Sequence, residues 1–176
     1  YLFGKISMTR QSAGNQISLI DNDKVGSSET TRGTLNCTDL YDLNFDLTFR
    51  DWFVGFTEGD GSFIVNKTGY LEFKITQSSV DAQVLFFIKK TLGFGSVSVQ
   101  DKKNKTHHYR VRNKKGLQTL FCIFNGRLRT EAKINQFNKW VKAFNAIYNV
   151  QLQICHNKKA SSFENAWLAG FTDAEG

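Results

Sequence analysis

Ten residues of this chain occur twice. Trp52-Phe-Val-Gly-Phe-Thr-Glu-Gly-Asp-Gly61 returns as Trp167-Leu-Ala-Gly-Phe-Thr-Asp-Ala-Glu-Gly176, displaced by 115 residues, with five of the ten positions identical. Two further positions are acidic in both copies: Glu58 matches Asp173, and Asp60 matches Glu175. A repeat of this kind implies two pseudo-equivalent units.

Each copy is apolar at its start, small at its fourth and eighth residues (Gly55 and Gly59; Gly170 and Ala174) and acidic near its end. Residues four apart share one helix face, so the small pairs allow two helix backbones to approach closely. Glycine inside a helix costs about 1 kcal/mol relative to alanine, a penalty that points to a specific contact. Carboxylates at a helix C-terminus oppose the helix dipole and require a cation nearby. Pairing the helices sets Asp60 beside Glu175, and hard carboxylate oxygens are ligands for Mg²⁺, an ion suited to phosphodiester hydrolysis.

The net charge of +7 is concentrated. Residues 97–143 contain twelve Lys and Arg against Asp101 and Glu131, a local balance of +10 that suits a polyanion such as nucleic acid. No apolar run reaches the roughly 20 residues of a membrane span. The three cysteines, Cys37, Cys122 and Cys155, have no metal-ligand spacing, and the adjacent His107 and His108 face opposite sides of a strand. Neither set makes a zinc site.

Residues 1–45, rich in Ser, Thr, Asn and Gly, read as a flexible N-terminal extension. The first motif helix then leads into alternating runs at Ser62–Asn66 and Tyr70–Gln77, a hairpin turning at 66–69. Helical spacing over Val80–Thr91 follows, with Ser79 as N-cap and Gly93 as terminator. A second strand pair, Ser96–Gln100 and His108–Arg112, flanks a charged loop, and helices resume at Gly116–Phe124 and Thr130–Tyr148. Alternation turns Phe63, Val65, Leu71, Phe73 and Ile75 toward the helices. Ile64, Asn66, Tyr70, Glu72 and Lys74 then face outward, joined by Ser98, Gln100, His108, Arg110 and Arg112 from the second pair. Such a polar, basic strand face can enter a DNA major groove and read base edges.

With these residues in view, Phe53–Gly61 and Leu168–Gly176 resemble the two nonapeptides of a double-motif LAGLIDADG homing endonuclease, of the intron-encoded organellar type. The resemblance covers about residues 46–176 and implies an α+β fold: an αββαββα half whose antiparallel four-stranded DNA-binding sheet lies under helices, plus the start of a second pseudo-symmetric half. The expected domains are the extension 1–45, the first half 46–160 and a motif helix, 161–176, of a second half lacking here. The resemblance makes Asp60 and Glu175 the metal-holding catalytic acids, with Gly59 and Ala174 beside them in the metal set and Mg²⁺ as cofactor. It also implies a polar residue at the end of the second strand, matched by Gln77, and a basic residue near the metals, for which Lys133 or Arg129 is the candidate.

The expected activity is site-specific cleavage of double-stranded DNA. The alternatives are an intron RNA maturase, or another RNA-binding protein on this scaffold, and a non-catalytic subunit of a larger ribonucleoprotein. The missing C-terminal half is itself an expected partner. Absence of Pro, richness in Phe, Asn, Lys and Ile, and a first residue other than Met fit a fungal mitochondrial intron reading frame fused to an upstream exon.

Overall fold

The computed structural model describes residues 46–155 and 166–175, all within one unit, Arg32–Gly176. The expected 1–45 extension, residues 156–165 and Gly176 lie outside the described residues.

Helix α1 (Leu47–Asp60) begins at Asp46, whose carboxylate accepts the Thr48 N–H at 3.1 Å, and gives way directly to an extended Gly61. Strands β1 (Gly61–Val65) and β2 (Leu71–Ser78) form the first hairpin. Helix α2 (Gln83–Leu92) crosses over to β3 (Ser96–Asp101) and β4 (Thr106–Val111), and α3 (Lys114–Phe124) and α4 (Glu131–Tyr148) complete the αββαββα order with one extra helix. The second copy of the motif is α5 (Ala166–Glu175).

The four strands form one antiparallel sheet in the order β1-β2-β4-β3, with the hairpins joined through β2 and β4. Its helix-facing side carries Phe63, Leu71, Phe73, Ile75, Tyr109 and Val111, each nearly or fully buried. Period-2 alternation identified four of these positions, Phe63, Leu71, Phe73 and Ile75, because only one face of the sheet is covered. Val65 departs from the pattern and is exposed, since it ends β1 beyond the helix layer. Helix α2 starts four residues after the expected Ser79 cap. Ser79 instead bonds His107 through its hydroxyl (Oγ to Nδ1, 2.9 Å), and Ala82 precedes the helix without a side-chain cap. The C-terminus of α2 is as expected: Gly93 adopts φ 76°, where a side chain would be strained.

The core is aromatic. Phe73, fully buried, touches the rings of Phe53, Phe63, Tyr109 and Phe124, so it links α1, both hairpins and α3. Phe73→Ala is expected to lower stability by about 3–5 kcal/mol in denaturant titration, because four rings fixed on separate elements cannot collapse into the space. Helix α4 lies on the same cluster through Phe137 and Trp140, which contact Phe63. That packing brings the start of α4 to the end of α1, where the first motif's acids lie.

Candidate catalytic site and nucleic-acid interface

Helices α1 and α5 meet through their glycines. A methyl group built on Gly55 would overlap the backbone carbonyl of Trp167, and one on Gly170 would overlap the carbonyl of Trp52. One turn on, a methyl on Gly59 would overlap the Ala174 side chain. The contact is reciprocal in its polar groups as well. Trp52 Nε1 donates to Asp173 Oδ2 at 2.9 Å, and Trp167 Nε1 donates to Glu58 Oε2 at 2.6 Å. The repeat in sequence is therefore a pseudo-twofold in space. The close approach was legible in the small residues. The crossed Trp-to-acid bonds were not, although both copies carry Trp and an acid six residues apart.

The helix pair brings the second acids together at one end. Asp60 is half-buried, and burial, followed by the charge of Glu175, raises its carboxyl above the ordinary range. Two groups work against this shift: Gln77 Nε2 donates to Asp60 Oδ2, and the charge of Lys133 lies close by. Lys133 Nζ donates to the carbonyl of Gly61, the residue after Asp60. Burial lowers the Lys133 ammonium, while Glu58 and Asp60 raise it. Gln77 reaches the site because it ends β2, and Lys133 because it lies in the first turn of α4. The other basic candidate, Arg129, stacks instead on the Trp167 ring, its guanidinium carbon 4.4 Å from the centroid.

Burial is the main reason that the Asp60 carboxyl is raised, and the charge of Glu175 adds to it. A methyl on Gly59 would lie 3.4 Å from Glu175 Oε1, so that carboxylate folds back over the helix contact. Among the described residues no three His, Cys, Asp or Glu side chains gather. Two hard carboxylates from opposed helices, open to solvent on the Glu175 side, fit an ion that retains waters and bridges to phosphate, as Mg²⁺ does. Gly59 and Ala174 have only backbone oxygens to offer, and their spatial role is the close contact itself.

The open side of the sheet forms rows across the strands. Ser62, Lys74, Arg110 and Ser96 align, as do Thr76, His108 and Ser98. Glu72 organises two arginines of this face. Its Oε2 accepts from Arg112 Nε at 2.7 Å, while Arg110 meets its Oε1 as an ion pair at 2.8 Å. Glu72 was expected as a contact residue; its geometry makes it a holder of two cations. His108 lies on the expected face but is only 6% exposed, because it stands mid-sheet between Thr76 and Ser98. Its Nε2 bonds Ser98 Oγ at 3.0 Å, and burial, followed by the charges of Arg110 and Lys74, lowers its pKa. Gln100 accepts the Thr76 hydroxyl at 2.9 Å. Asn66 and Tyr70 lie in the β1–β2 turn rather than on the strands, exposed, and Ile64 lies beside Glu72.

This arrangement has relatives. The sequence profile described as LAGLIDADG endonuclease matches residues 53–144, more than half of the chain. A "Probable intron-encoded endonuclease 4" of Neurospora crassa is 48% identical over 175 residues, covering 99% of this chain and 30% of that protein. An "Intron-encoded RNA maturase bI4" of Saccharomyces cerevisiae is 30% identical over 172 residues, covering 86% of this chain and 26% of that protein. The chain thus spans less than a third of the length of these relatives. Among solved structures, the homing endonuclease I-TnaI superposes with a TM-score of 0.52 at 29% identity, over 60% of this chain and 76% of that one. The LAGLIDADG meganuclease I-AabMI bound to uncleaved DNA gives 0.58 at 21% identity, over 72% and 57%, and so agrees in fold. With the profile spanning the helix, both hairpins and the helices that cover them, the chain belongs to the LAGLIDADG endonuclease family.

Proposed function

We propose that this chain supplies one DNA-reading sheet and both metal-holding acids of a site-specific homing endonuclease, which cleaves both strands of a duplex target using Mg²⁺. The observation that carries the proposal is the meeting of Asp60 and Glu175 at the end of a glycine-packed helix pair, with Gln77 and Lys133 beside them. In this reading residues 46–160 form one half and α5 opens a second αββαββα half on its far side. An intron-borne, mitochondrial origin of fungal type belongs to the same proposal; the names and organisms of the relatives support its intron-borne and fungal parts.

The chemistry follows from the side chains. Mg²⁺ held by Asp60 and Glu175 would activate water and offset charge on the leaving oxygen. Gln77 fixes one oxygen of Asp60, which leaves the other for the metal. The Lys133 ammonium, anchored at Gly61, places positive charge beside the acids, where it would stabilise the developing charge of the phosphate. The basic face of the sheet would bind the duplex. Glu72 keeps Arg110 and Arg112 in one orientation before DNA arrives, so less rotamer freedom is lost on binding. Lys74, in the same face, is expected to act through charge. Lys74→Ala should reduce the slope of log K against log salt by about 1 and weaken binding evenly across sequences, as read by fluorescence anisotropy.

The relative named as an RNA maturase favours a second reading, in which the same basic face binds structured intron RNA. Competition between a duplex library and folded RNA, with divalent metal chelated, separates the two. Preference for RNA, together with no cleavage of any duplex when Mg²⁺ is restored, would overturn the nuclease reading.

A further inference from the structure

The first acid of the motif, Glu58, has no part in holding metal in the scheme above, yet its carboxylate accepts four hydrogen bonds. It is only 6% exposed. Its Oε1 accepts the backbone N–H of Arg129 at 2.6 Å, that of Thr130 at 2.7 Å and the Thr130 hydroxyl at 3.1 Å, while Oε2 accepts Trp167 Nε1 at 2.6 Å. Thr130 is the N-cap residue of α4 and makes no side-chain cap of its own. The backbone N–H of the α4 N-cap residue and that of the residue before it are thus satisfied by a carboxylate from α1, and a negative charge there is also favoured by the helix dipole. One side chain joins α1, α4 and α5.

Lys133 lies three residues beyond Thr130, in the turn that Glu58 caps, and its ammonium reaches Gly61 beside Asp60. From this geometry, and resting on the nuclease reading, we propose that Glu58 is a positioning residue for the reaction: it pins the first turn of α4 and so holds the Lys133 ammonium at the metal-holding acids. A neutral glutamine would fit the same space but present an NH₂ group either to the two backbone donors or to the Trp167 N–H. One side of the clasp would lose its acceptor, which costs free energy in a part-buried contact.

The test uses the full-length protein and a duplex recovered from a randomised library by cleavage selection. Glu58→Gln is expected to speed amide hydrogen exchange at Arg129 and Thr130 and to slow single-turnover cleavage of bound duplex by about 10–100-fold, the usual effect of losing an outer partner of a metal site. The Kd measured without divalent metal should stay unchanged. If Glu58 acts through Lys133, the loss in Glu58→Gln/Lys133→Met will be no greater than in Lys133→Met alone. Should Glu58→Gln not fold, Glu58→Asp, which keeps the charge and is one methylene shorter, takes its place in the same cycle. Wild-type cleavage rates in the variant, or losses that multiply in full with those of Lys133→Met, would overturn the positioning role and leave the nuclease reading intact. If the wild-type protein cuts no duplex, the nuclease reading falls and the positioning role with it.

Discussion

Asp60→Asn is expected to abolish cleavage while making the protein harder to unfold. On the proposed scheme, losing one of the two carboxylates that hold metal removes several kcal/mol of transition-state stabilisation, which is about a thousandfold or more in single-turnover rate. Duplex binding in metal-free buffer should persist, because the basic sheet face is untouched. Stability moves the other way. Burial and Glu175 raise the Asp60 carboxyl, so the folded state binds that proton more tightly than the unfolded chain does. Stability is therefore lost as pH rises from the ordinary carboxylate range through the raised value. The asparagine variant avoids this loss: its Tm should exceed that of wild type at neutral pH, and the two should converge in acid. Adding Mg²⁺ should raise the Tm of wild type alone, since only wild type retains both ligands. An unchanged cleavage rate in Asp60→Asn would remove this residue from the catalytic scheme.

The second large effect belongs to the helix contact. Gly55→Ala places a methyl group on the Trp167 carbonyl, and Gly170→Ala does the same at Trp52. Backbone cannot rotate aside as a long side chain can, so the helices must separate. Overpacking of this kind costs about 1–3 kcal/mol, and here the upper end or more is expected even though alanine is the better helix former by about 1 kcal/mol. Separation should also disengage Trp52 from Asp173 and Trp167 from Glu58, visible as a shift in tryptophan fluorescence. A control at an exposed site, Gln83→Ala, should be close to neutral. If Gly55→Ala matched that control in chemical denaturation, the glycines would have no packing role.

The sequence was most informative where a period or a repeat exists. Alternation placed Phe63, Phe73 and Ile75 in the core because one face of the sheet is covered and the other is open. The small residues of the motif foretold the helix pair because backbones can come this close only where no side chain larger than a methyl, and at Gly55 and Gly170 none at all, stands between them. Legibility ended where a residue's role depends on partners distant in the chain. Alternation gave the side of the sheet on which His108 and Glu72 lie, but not that neighbouring strands would bury the first or that two arginines would converge on the second. Glu58 had no assigned role beyond matching Asp173, since nothing in the sequence ties it to a turn more than seventy residues away. Lys133 and Arg129 were interchangeable as charges until the start of α4 turned one toward Gly61 and laid the other on an indole ring.

The crossed tryptophan bonds also constrain how such a chain can change by recombination. Each motif's indole depends on an acid carried by the other motif, so neither half is chemically complete alone. Exchanging one half for that of a distant relative imports a new Trp and a new acid together, and both must meet residues that were never selected alongside them. Shuffled halves are therefore expected to function when these two cross-pairs are transplanted as a set, and to fail when only the acids that hold metal are matched.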